Sequence, residues 1–103
     1  MITINILTDQ TLQIDLAGKA TAGYTWSYIC RNPDMLRISR KYIIPDTLIA
    51  GGAGIERFSI TGLKPGICHV DFKLSRSWEQ EQIPLDSKSY LFHILPAPSL
   101  KVA

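Results

Sequence analysis

Seven separated runs of this chain alternate apolar and polar residues with a period of two, and no stretch keeps a 3.6-residue apolar repeat for three turns. The runs are Ile2 to Leu7, Thr11 to Leu16, Tyr24 to Arg31, Leu36 to Ile44, Ile55 to Ile60, Ile67 to Ser75 and Ser89 to Leu95, and they are rich in β-branched and aromatic residues. A helix could not gather such a pattern onto one face, whereas a strand does so automatically because its side chains point alternately up and down. The fold is therefore expected to be all-β. At 103 residues and 46% hydrophobic content, residues 1–103 are expected to form a single domain around one core.

The gaps between the runs alternate in length. Thr8-Asp9-Gln10, Asn32-Pro33-Asp34-Met35 and Gly62-Leu63-Lys64-Pro65-Gly66 are short and carry turn residues. The other three span about seven, ten and thirteen residues, longer than ordinary hairpin loops. In an antiparallel arrangement every second connection emerges at the same end, so the three long ones are expected to meet there. Seven short strands with regular turns point to an immunoglobulin-like antiparallel β-sandwich presenting loops at one edge. Cys30 follows Trp26 instead of preceding it, so the architecture is suggested and not the immunoglobulin disulfide pattern. Pro96 and Pro98 cannot donate to a ladder and should take the tail out of the sheet.

Charged residues make up only 19% of the chain and the formal net charge is +2, with no Lys/Arg run, which argues against nucleic acid or an anionic membrane as partner. No segment approaches the roughly 20 apolar residues of a membrane helix. The start at Met1 reads as a strand and not as a signal peptide, so the expected location is cytoplasmic unless a leader has been removed. Cys30 and Cys68 share strand parity with core residues and read as buried free thiols, with a bridge across the core as the alternative. Cys68 and His69 are neighbours on a strand and face opposite ways, which excludes a nucleophile–base dyad. His69 and His93 fall at polar parity and read as solvated. No metal site, cofactor or paired-carboxylate pattern emerges, and the chain is not expected to be an enzyme.

The long connections carry the unusual residues. The first, Ala17-Gly18-Lys19-Ala20-Thr21-Ala22-Gly23, is built of small side chains that let backbone approach a partner closely, and by itself it also reads as a plain turn. The second holds Gly51-Gly52-Ala53-Gly54; a phosphate cradle would need a helix to follow, and a strand follows instead. The third places Trp78 beside Arg76 and Ser77 and among Glu79, Gln80 and Glu81, the composition of an interface anchor or of an aromatic folded back onto the sandwich end.

In order and spacing these segments resemble the chagasin-type inhibitors of papain-like cysteine proteases. That family carries N-P-T-T-G followed by Tyr-x-Trp, then G-x-G-G, then R-P-W, on three loops at one end of an immunoglobulin-like sandwich. Here Lys19-Ala20-Thr21-Ala22-Gly23-Tyr24-Thr25-Trp26, Gly51-Gly52-Ala53-Gly54 and Arg76-Ser77-Trp78 occupy those places. Lys19-Ala20 replaces Asn-Pro, Ala22 the second Thr, Ala53 the Gly at the third position of G-x-G-G and Ser77 the Pro; losing prolines leaves a less preorganised loop. The resemblance implies a reversible inhibitor, monomeric when free, whose Thr21 loop enters the protease cleft while the Gly51 to Gly54 and Arg76 to Trp78 loops grip either side. Trp26 is expected in the core beneath them. The rival reading is a non-inhibitory immunoglobulin-like module that binds protein or sugar through the same exposed aromatics.

Overall fold

A computed structural model describes residues 1–17, 24–43, 54–76 and 83–98. All seven expected strands form: β1 (Ile2–Leu7), β2 (Thr11–Ala17), β3 (Tyr24–Cys30), β4 (Leu36–Ile43), β5 (Ile55–Gly62), β6 (Gly66–Arg76) and β7 (Asp86–Leu95). No helix occurs among the described residues. The largest change in boundary is at β7, which begins at Asp86 because Leu85 N–H donates to Leu74 O (2.8 Å) and the β6–β7 ladder continues through polar residues. Arg76, expected in a loop, is the last residue of β6.

The strands form two sheets, ordered β1-β7-β6-β3 and β2-β5-β4. All pairings are antiparallel except β1 with β7. That exception follows from the same alternation: β1 and β7 are both odd-numbered, run the same way, and can pair only in parallel.

The inward residues of both sheets interlock as one core in which Trp26, Phe58, Phe72, Phe92, Ile6 and Ile60 are fully buried. Phe58 packs edge-on against Phe72 (centroids 4.9 Å apart) and Phe72 against Tyr90 (5.6 Å), so aromatic rings bridge the sandwich. Each such side chain contributes roughly 1.5–3 kcal/mol of burial free energy. At the end with short turns, Gly66 has φ of +139° and its Cα lies against Met35, so that turn needs a residue without Cβ.

Cys68 is buried and Cys30 half-buried, because β3 is an edge strand whose inward side chains are covered on one side only. Tyr28, at the same parity, is likewise 36% exposed although its ring packs on Phe58 and Phe72. Both cysteines are free thiols, with the sulfurs 3.3 Å apart. Desolvation, reinforced by the neighbouring Cys68, pushes the Cys30 thiol up to about 11 from an ordinary 9.0. The unfolded chain therefore releases this proton first, and the contribution of Cys30 to stability is complete below the unfolded value and lost as pH rises through the folded one. The melting temperature is expected to fall between pH 9 and pH 11 more steeply than in Cys30→Ser; parallel slopes for the two proteins would contradict this.

Candidate functional site

The roots of the three long connections lie together. In one sheet Ala17 (end of β2), Ile43 (end of β4) and Ile55 (start of β5) share one register level; in the other, Tyr24 (start of β3) pairs with Arg76 (end of β6). Connections 18–23, 44–54 and 77–85 therefore leave from one end of the sandwich, as the alternation of long and short gaps requires.

Trp26 joins the two sheets at that end. Its indole is 1% exposed, and Nε1 donates to Ala17 O (3.0 Å), reaching from the strand that follows the first connection to the strand that precedes it. Its backbone N–H, on edge strand β3, donates to Glu56 Oε2 (2.9 Å) across the core. Glu56 is the buried charged residue of the described structure, 3% exposed, and its Oε1 lies 3.8 Å from Nε of Arg40 on β4. The Arg40 guanidinium sits in turn over the Phe58 ring, 5.2 Å from its centroid.

Two further contacts link the roots. The Arg76 guanidinium lies over the Tyr24 ring at 4.4 Å, coupling the first and third connections. Gly54 is buried beneath Tyr42, and a Cβ there would run into the phenol ring and hydroxyl. Of the residues singled out in the sequence, Gly54 and Arg76 are thus placed at the base of the site. Lys19, Ala20, Thr21, Ala22, Gly23, Gly51, Gly52, Ala53, Ser77 and Trp78 lie outside the described residues.

Sequence reasoning missed Glu56. Its signal was present: it shares parity with Phe58 and Ile60, so a carboxylate stands at an inward position of an otherwise regular strand. His69 also differs from expectation, since it is half-buried beside Asp71, with Nε2 3.1 Å from Oδ1 but off the hydrogen-bonding direction. Asp71 also receives the Ser89 hydroxyl (2.7 Å), the main reason its carboxyl lies below the usual range. Serine and histidine both address the aspartate and not each other, so this trio is not a nucleophile–base relay. No group of three potential metal ligands occurs among the described residues.

Two facing sheets that tie the roots of three long connections into one end define a loop-presenting binding protein. The chain belongs to the chagasin family of peptidase inhibitors, I42, whose model matches residues 5–94. Members of that family are inhibitors and not enzymes. It is 26% identical over 81 residues to chagasin of Trypanosoma cruzi, a match covering 74% of each chain. Among solved structures it resembles the cysteine protease inhibitor EhICP2 of Entamoeba histolytica, with TM-score 0.76 and 24% identity over 89% of this chain and 84% of the other. It also resembles PbICP-C, solved in complex with falcipain-2, with TM-score 0.66 and 20% identity over 93% and 87% of the respective chains. At those identities the two structural likenesses are of fold.

Proposed function

We propose that this chain inhibits papain-like cysteine proteases by occlusion, the connections at the Trp26 end acting together as one wedge in the active-site cleft. The observation that carries this reading is the common register level of the roots, tied across the two sheets by Trp26. Family membership supports it, as does the fold shared with a cysteine protease inhibitor and with a protein solved on a protease. In this proposal Lys19, Ala20, Thr21, Ala22 and Gly23 enter the cleft, Gly51, Gly52 and Ala53 flank it on one side, and Ser77 and Trp78 flank it on the other. Gly54 and Arg76 support these contacts from beneath, through Tyr42 and Tyr24. Nothing reactive is required of the inhibitor. Small side chains at the tip allow close backbone approach, and the wedge excludes substrate from the enzyme's cysteine and histidine.

Titration of papain with the purified chain is expected to give stoichiometric loss of activity; full activity across a panel of papain-like enzymes would refute the reading. Within it, Thr21→Trp places a bulky group in a narrow cleft. Overpacking of about 1–3 kcal/mol, roughly 5- to 150-fold, is expected to weaken inhibition with the melting temperature nearly unchanged. Inhibition equal to the parent protein would show that this loop is not the wedge.

A further inference from the structure

We propose that Glu56 is the positioning residue of the inhibitory surface, holding the first and second connections in their binding arrangement. The inference rests on the inhibitor reading above and assigns a residue outside the loops to its action. Glu56 stands one residue beyond Ile55, where β5 emerges from the second connection, and reaches across the core to the N–H of Trp26, which follows the first. Trp26 in turn donates to Ala17 O on the other side of the first connection. A continuous chain of contacts, Arg40 to Glu56 to Trp26 to Ala17, therefore runs beneath both loops and through both sheets.

Stability alone is a poor reason for such a group. Removing a carboxylate from water is costly, and its cation here is 3.8 Å away and part-exposed. Buried charged groups are well suited to fixing one arrangement among several, because the alternatives leave the charge without its partners. β3 has no strand neighbour on its outer edge, so its height and tilt relative to the opposite sheet, and with them the first connection, are set by what holds that edge. At Trp26 it is held by Glu56.

The role has a kinetic signature. A residue that touches the protease mainly governs dissociation when removed, whereas one that preorganises the free inhibitor governs the fraction competent to bind. Glu56→Gln keeps size and an acceptor oxygen but removes the charge; Glu56→Asp keeps the charge and withdraws it from Trp26. For each, association and dissociation rates with papain would be measured beside amide hydrogen exchange of the free protein. The expected result is about a tenfold loss of affinity, carried by slower association with dissociation unchanged. Faster exchange of the Trp26 amide should accompany it, with the melting temperature little altered in Glu56→Gln and lowered in Glu56→Asp, where a buried carboxylate loses its N–H partner. Unchanged exchange and rates in a folded variant would overturn the proposal, and so would failure of both variants to fold, which would make Glu56 a requirement of the scaffold. If the parent protein does not inhibit, the inhibitor reading fails; the exchange data still decide whether Glu56 holds the edge of β3.

Discussion

Trp26→Ala is expected to lower folding stability by about 3–5 kcal/mol, the range for truncating a large aromatic in a core. The indole is 1% exposed and fully enclosed between the sheets, so its removal leaves a cavity that neighbours on rigid ladders can fill only in part. Ala17 O loses its donor at the same time. Small domains have about 5–15 kcal/mol in total, so this single change consumes a large share of it. At roughly 4–8 °C per kcal/mol for domains of about this size, the melting temperature should drop by more than 10 °C. Trp26→Phe separates the two causes, retaining most of the volume while losing the bond to Ala17, and should fall between alanine and the parent. Urea denaturation of the three proteins checks this. A loss below about 1 kcal/mol in the alanine variant would mean that Trp26 is not the tie between the sheets.

Trp78→Ala is expected to act in the opposite compartment of the free energy. Trp78 follows Arg76 in a polar stretch with no apolar neighbours in sequence, where the resemblance to the family's R-P-W motif would put a protease-facing tryptophan. As an anchor on the protease, its truncation should cost about 2 kcal/mol or more of binding, chiefly through faster dissociation, with folding stability barely changed. As an aromatic folded onto the sandwich end, the same truncation would cost about 3–5 kcal/mol of stability instead. Thermal melts and inhibition kinetics on one preparation separate these, and a large fall in melting temperature with undiminished inhibition by the folded fraction would remove Trp78 from the contact surface. Set beside Glu56→Gln, the two kinetic patterns distinguish a residue that grips the enzyme from one that arranges the grip.

The alternation that gives each strand its buried face was legible residue by residue, and with it the number of strands, the single core and the shared end of the long connections. Pairing partners were not. Period-two patterning states which side of a strand is apolar but carries nothing about which strand lies beside it, so the two-sheet order and the parallel β1–β7 pair came only from the structure. Edge effects were hidden for the same reason: Tyr28 and Cys30 have inward parity, yet β3 has a neighbour on one side only and leaves them part-exposed. The inward parity of Glu56 was readable, but its partners, like those of the Asp71 cluster, lie far away in sequence, and no local pattern encodes them. The loop motifs were readable as motifs, and the structure supplies their common base.

The tail after β7 starts from the opposite end. Thr8 N–H donates to Leu95 O, and Ala97 N–H donates to the Thr8 hydroxyl, so Pro96 to Pro98 are moored beside the short turns, a full strand length from Ala17, Gly54 and Arg76. The molecule is consequently polarised like a plug with its handle at the back. In the proposed binding mode, a bead, a dye or another folded unit attached at Pro98 would sit on the side facing away from the enzyme, and immobilising the protein through that side would leave the end that carries the roots of the three connections outward, with the whole sandwich as a spacer.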